Sequence, residues 1–142
     1  MTDKQIIKSK ERVKNLGEVF TNEREVKAMS DLLPLITIEM TFLEPTCGNG
    51  NFVIEILKRK FDLCKKKQDY ITALNSVVAI DLMADNIKEC KQRVRELYRS
   101  FGQKENIDFI LDTQIFQGNS LAMMRLLEKC QDGQLVILTQ EP

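Results

Sequence analysis

The sequence predicts an α/β protein with a mostly parallel sheet, helices on both faces and two helices leading in. Three observations predict it. Four short apolar runs, ITIEMTFLE, SVVAID, QIFQGN and QLVILT, alternate with segments of helical period. SVVAID is a near-continuous β-branched run, as in a parallel strand covered on both faces. Met83, Ile87, Cys90, Val94, Leu97 and Phe101 step by four, three, four, three and four, the spacing of an amphipathic helix. The length of 142 residues suits one domain, expected as a helical segment over 1–34 and a β-α-β core over 35–142.

Each element has its own signal. Residues 3–16 read as a charged helix with a thin apolar stripe of Ile6, Ile7, Val13 and Leu16, stopped by Gly17 and leaning on a partner or packing weakly. Asn22 and Glu25 have capping-box spacing before a stripe of Val26, Met29 and Leu33, and Pro34 ends that helix. Residues 36–44 read as a strand running into PTCGNGN. From Asn51, the apolar positions Phe52, Ile56, Leu57, Phe61 and Cys64 step helically, followed by a basic, polar tail. Residues 76–81 are the second strand, and Gly102 closes the helix that follows it. The stretch 105–113 fits neither template, QIFQGN reads as a strand, LAMMRLLEKC as a helix and QLVILT as a last strand.

Composition removes several chemistries. There is no His, so Ser-His-Asp and Cys-His nucleophiles and His-ligated zinc are excluded. Cys47, Cys64, Cys90 and Cys130 form no CxxC pair and read as reduced thiols of a cytoplasmic protein. Lys plus Arg equals Asp plus Glu at 21 each, so no global field attracts nucleic acid or membrane. The polar start and the lack of an 18-residue apolar run argue against a signal peptide or a membrane span.

The strongest chemical feature is Glu44-Pro45-Thr46-Cys47-Gly48-Asn49-Gly50-Asn51, between a strand and a helix. In an open α/β sheet that edge is where ligands bind. Two glycines allow a tight turn and close approach, and the helix N-terminus favours a carboxylate or phosphate. Glu44 suits a ligand amine. A plain glycine turn is the alternative for the loop alone. Val53 stands where a dinucleotide fingerprint needs its third glycine, and no Gly-Lys-Ser/Thr follows, so neither dinucleotide nor P-loop binding fits.

Asp81 ends the second strand, where an acid can take both ribose hydroxyls; a helix N-cap is the alternative. Asn119, in GNS, can donate to and accept from an adenine edge; a turn or cap is the alternative. Carboxylate and amine at the glycine loop, ribose at Asp81 and base at Asn119 together describe S-adenosylmethionine.

These segments resemble the N-terminal part of adenine-N6 DNA methyltransferases of restriction–modification systems. GEVFTNEREVKAMSDLL is similar to that family's leading segment, FLEPTCGNGNF to its glycine motif, VVAID to its ribose strand and FQGNSL to its adenine-contacting motif, where Asn119 replaces the usual Asp. The resemblance covers about residues 17–121. It implies a Rossmann-like methyltransferase sheet, truncated after about the fourth strand, and a cofactor site of Phe20, Thr21, Glu44, Thr46, Cys47, Gly48, Gly50, Asp81, Leu82, Asn119 and Ser120. It implies no metal. DNA is the implied partner of the full-length or assembled enzyme, with a second chain or downstream domain supplying catalysis and target recognition. The 31 residues from Gly50 to Asp81 exceed the ~20 of a compact dinucleotide unit; KRKFDLCKKKQDY accounts for the excess.

The family's catalytic Asn/Asp-Pro-Pro-aromatic tetrapeptide is absent, because Pro34, Pro45 and Pro142 are the only prolines and none adjoin. The expectation is a cofactor-binding part that is inactive alone: a fragment, a truncated product or half of a split enzyme. Two alternatives stay open, a non-catalytic module of a restriction–modification complex and a small-molecule or protein methyltransferase. Lys58, Arg59, Lys60, Lys65, Lys66 and Lys67 read as a solvated helix end, with a DNA-phosphate patch as the alternative. Cys47 reads as a small residue beneath the loop, with a low-pKa thiol at a helix N-terminus as the alternative.

Overall fold

Four parallel strands form one sheet in the order β3-β2-β1-β4: β1 is Phe42–Glu44, β2 Val77–Asp81, β3 Ile115–Gln117 and β4 Val136–Ile137. The computed structural model describes residues 7–16, 20, 22–33, 35–119, 121 and 136–137. The helices are α1 (Lys10–Leu16), α2 (Glu23–Asp31), α3 (Asn51–Leu63), α4 (Lys67–Asn75), α5 (Ala84–Ser100) and α6 (Asp108–Gln114). The predicted helix LAMMRLLEKC, apart from Leu121, and any end of the sheet after its fourth strand lie outside the described residues.

The register aligns Glu44 with Ala79, and Ala79 with Ile115, so the C-terminal ends of β1, β2 and β3 share one edge. The chain enters the sheet at β1, moves outward through β2 to β3, then returns to the other side of β1 as β4. The strand order therefore reverses at β1, and the crevice beyond β1 is the topological switch point where open α/β sheets bind ligands. The glycine loop follows β1 directly.

The apolar stripes predicted for α3 and α5 form the core in part, joined by Val53 and Tyr98, which they did not include, while Phe52 and Met83 stand outside that cluster. Val53, Ile56, Leu57 and Phe61 of α3 meet Ile87, Cys90, Val94 and Tyr98 of α5 over Phe42, Val77 and Ala79. Burying side chains of this size stabilises by about 1.5–3 kcal/mol each. Asn22 caps α2 as its spacing predicts, its Oδ1 accepting from Glu25 N at 2.9 Å.

Three elements differ from the sequence reading. The first strand is only Phe42–Glu44; residues 36–41 are irregular. Lys60 of α3 explains the difference. Its buried ammonium donates to the carbonyls of Thr37 and Ile38 at 2.9 Å each, and to Met40 O, taking acceptors that a strand ladder would use. It also lies 5.1 Å from the Phe42 ring centroid.

The supposed basic tail contains α4. Tyr70 anchors it in an aromatic cluster, 5.2 Å from Phe61, 6.2 Å from Tyr98 and 6.3 Å from Phe101 between ring centroids. Asp69 caps its start by accepting from Lys65 N and Lys66 N. The unassigned stretch 105–113 contains α6, which buries Leu111.

The basic cluster is dispersed by its ion pairs. Lys60 is buried, Arg59 bonds Glu55 and Asp31 at 2.7 and 2.6 Å, and Lys67 reaches Glu105 at 2.9 Å. Three of the six cations are thus engaged within the chain, and the burial of Lys60 corrects the solvated helix end expected of it.

Candidate functional site

The glycine loop is zipped onto the end of β2. Cys47 N donates to Ile80 O at 2.8 Å, extending the ladder one step past β1. Gly48 N then donates to Asp81 Oδ1 at 3.1 Å. Gly50 N donates back to Cys47 O at 2.9 Å, closing the turn before α3. Gly48 and Gly50 have φ of 55° and 98°, the left-handed region that glycine enters without a Cβ clash. Gly50 has a second reason to be glycine: a Cβ there would stand 2.6 Å from Cys90 Sγ.

Beneath the loop two thiols meet. Cys47 and Cys90 are fully buried and share a side-chain hydrogen bond, which with burial pushes the Cys47 thiol well above its usual range. A protonated, buried sulfur is a packing group rather than a nucleophile. Cys47 also touches Gly48 O at 3.5 Å, so its contribution is to support the loop from below.

Glu44 lies at the end of β1, with 1% of its surface exposed. Its Oε1 accepts from Thr46 N at 3.1 Å. Its Oε2 is buried and has no hydrogen-bond partner among the described residues. Desolvation is the largest influence on the carboxyl and raises its pKa well above 4.5; Thr46 opposes this through two hydrogen bonds, while Cys90 and Asp81 add to it. Asn49, in the loop, carries a second buried and unpartnered oxygen, Oδ1. Buried polar atoms are rarely left unpaired in a finished structure, so these two oxygens suit a donor brought by a ligand. Helix α3 begins at this point with Gly50 as its N-cap, a residue that offers no side-chain cap.

Asp81 joins three pieces of the site. Besides Gly48 N, its carboxylate accepts from Met83 N at 3.0 Å and Asn86 Nδ2 at 2.9 Å. It thus also serves the start of α5, as the N-cap alternative expected. A carboxylate offers about four acceptor directions. Among the described residues three are taken, leaving one for a ribose hydroxyl where the sequence suggested two.

The tip of β3 adjoins the same edge. Gly118 N donates to Asp81 O at 3.0 Å, and Gln117 Nε2 to Leu82 O at 2.9 Å. Leu82 is 54% exposed beside Asp81, free to cover one face of a ligand ring. Asn119 is exposed and its Oδ1 accepts from Leu121 N at 3.0 Å, a turn-capping bond. Its amide N–H groups remain the part available to a base.

Phe20 is buried, and Lys8 Nζ lies 5.8 Å from its ring centroid. Lys8 and Arg12 in turn bond Asp85 at the start of α5, so the leading segment is fastened beside the site. Thr46 is exposed at the loop's outer side. Thr21 and Ser120 lie outside the described residues.

Two site residues escaped the sequence reading. Arg93 of α5 holds the loop, its Nη1 donating to Asn49 O at 3.0 Å and Asn51 Oδ1 at 2.8 Å. Asn86 orients Asp81. Both lie on the predicted helix after the second strand, but only the fold reveals which face meets the loop. Among the described residues no group of three or more His, Cys, Asp or Glu could hold a metal. No helix among them is long and apolar enough to cross a membrane.

Over 55 residues the chain is 46% identical to the Type II methyltransferase M.VspI of Vibrio sp. (strain 343). The likeness is to a methyltransferase. The matched stretch is 38% of this chain and 14% of that relative's length. No family model matches the chain, and no solved structure matches it.

Proposed function

We propose that the chain is the S-adenosylmethionine-binding part of an adenine-N6 DNA methyltransferase. One observation carries the reading. The glycine loop at the switch point is bonded to Asp81, beside a buried carboxyl, Glu44, with an unused oxygen. In this reading the ligand's ammonium is met by Glu44 and its carboxylate by the amides opening α3. A ribose hydroxyl uses the remaining direction on Asp81, and adenine lies between Leu82 and Asn119. Phe20 and Thr21 belong to the methionine end, and Thr46, Cys47, Gly48, Gly50 and Ser120 to the loop and strand tip around the ligand. When bound, S-adenosylmethionine supplies an electrophilic methyl group whose sulfonium is already a good leaving group. The protein's own task is alignment, in which a small displacement costs much of the rate.

The likeness to a Type II methyltransferase supports DNA as the acceptor, and the leading segment ahead of the glycine motif favours a DNA enzyme over a small-molecule one. The acceptor amine is placed by residues of a partner or a further segment.

Calorimetry with S-adenosylhomocysteine tests the cofactor reading. Saturable binding is expected, weakened at least tenfold by Asp81→Ala. No binding by the folded chain at millimolar ligand would remove it. Unchanged affinity in Asp81→Ala would remove Asp81 from the site.

A further inference from the structure

We propose that Glu44 is neutral in the free protein and gives its proton to solvent when a ligand ammonium is seated against it, making it the residue that selects amine-bearing ligands. The inference rests on the cofactor reading and adds to it a specificity element and a proton count.

The geometry leaves little alternative for this carboxyl. It is withdrawn from water, and its Oε2 has no partner among the described residues. Among the described residues, the ionisable groups that bear on it are acidic: Asp81 at the end of β2 and Cys90 on α5, with Cys47 beside it in the loop. Two cations on the helices that pack over β1 and β2 are engaged elsewhere. Lys60 of α3 is directed at the carbonyls of Thr37, Ile38 and Met40, and Arg93 of α5 at Asn49 and Asn51. A buried carboxylate without a cation is strongly disfavoured, so the free site retains the proton. A ligand ammonium supplies the missing charge. The carboxyl O–H then ionises, its proton leaves to buffer, and a charge-assisted hydrogen bond forms between ammonium and carboxylate. Charge balances, because one positive charge enters and one proton departs. A ligand lacking the amine leaves Glu44 protonated and forfeits that bond.

The test is calorimetric titration of the whole chain at pH 7, in phosphate and in Tris, whose ionisation heats differ. S-adenosylhomocysteine carries the amine; 5′-methylthioadenosine keeps adenine and ribose but lacks the amine and the carboxylate together, and the deaminated analogue of S-adenosylhomocysteine lacks the amine alone. The expected result is release of up to one proton with S-adenosylhomocysteine and none with methylthioadenosine. Affinity for the amine ligand alone should rise by up to about tenfold per pH unit below the free-site pKa. Glu44→Gln should abolish the release. Binding of S-adenosylhomocysteine without proton release, or equal release by both ligands, overturns the role of Glu44 and leaves the cofactor reading standing. Binding of neither ligand overturns both. If Glu44→Gln does not fold, comparison of S-adenosylhomocysteine with its deaminated analogue on the unmodified chain still decides: equal release by both overturns the role of Glu44.

Discussion

Gly50 is constrained twice over, by its backbone and by a neighbour. Its φ of 98° favours glycine, and a Cβ would meet Cys90 Sγ at 2.6 Å. Gly102 shares the first constraint, with φ of 81°, but has open space around it. Gly50→Ala should therefore destabilise more than Gly102→Ala, by about 1–3 kcal/mol beyond the backbone penalty. Cys90→Ala in the same chain should recover part of that difference; urea midpoints of the single and double variants measure it. Equal costs for the two glycines would show that the thiol yields easily.

Glu44 gives a pH signature in the ligand-free protein. Its folded pKa is raised above 4.5 by burial, so the folded state holds the proton more tightly than the unfolded chain. Its contribution to stability is complete below that unfolded value and is lost as pH rises through the folded value. Glu44→Gln should flatten the fall in stability above about pH 4.5, read as denaturant midpoints across pH.

At the scale of elements, the leading helix is held by charge. Lys8 bonds Asp85 at 2.9 Å and Glu89 at 3.3 Å, and Arg12 bonds Asp85 at 2.7 Å. The thin apolar stripe of this segment predicted weak packing or reliance on a partner; among the described residues, ion pairs are what tie the segment to α5. Arg12 first, then Lys8, holds the Asp85 carboxyl well below its ordinary range. The contribution is present above the usual value of 3.8 and is lost as pH falls toward the folded pKa. Asp85 is half exposed, so solvent and salt screen the network. Asp85→Asn should cost about 1 kcal/mol or less, and the loss should shrink in high salt. Protease cleavage near residue 20 checks whether the leading segment loosens with it.

The helix α4 shows why a short charged segment hides from periodicity. KQDYITALN offers Tyr70, Ile71, Ala73 and Leu74 as apolar residues, and only Ala73 and Leu74 are buried. Its stability comes from docking Tyr70 among Phe61, Tyr98 and Phe101, aromatic pairs worth about 0.5–1.5 kcal/mol each. Tyr98 and Phe101 are distant in sequence. Lys60 is the same kind of case: it reads as part of a basic run, yet its ammonium fixes the irregular entry to β1.

Across the whole molecule, the strand order places the glycine loop where the sheet changes direction. A ligand bound there touches β1, β2 and β3 and the starts of α3 and α5, and should stabilise the domain as a unit. At a hundred times its dissociation constant, S-adenosylhomocysteine should add about 2.7 kcal/mol. A thermal midpoint that rises with ligand, and less in Asp81→Ala, is the expected outcome.

The sequence by itself determined what is local. The alternation of strands and helices, the stripes of α3 and α5, the Asn22 cap and the glycine turn all follow from neighbours in the chain, because period, propensity and φ freedom act over a few residues. Tertiary structure decided what depends on distant partners. The Gly48–Asp81 bond spans 33 residues and the Arg93 clamp on Asn51 spans 42, while the thiol contact under Gly50 joins a loop to a helix. Burial of Glu44 belongs to the same class: its acidity is set by the water that folding removes, and no sequence spacing records that.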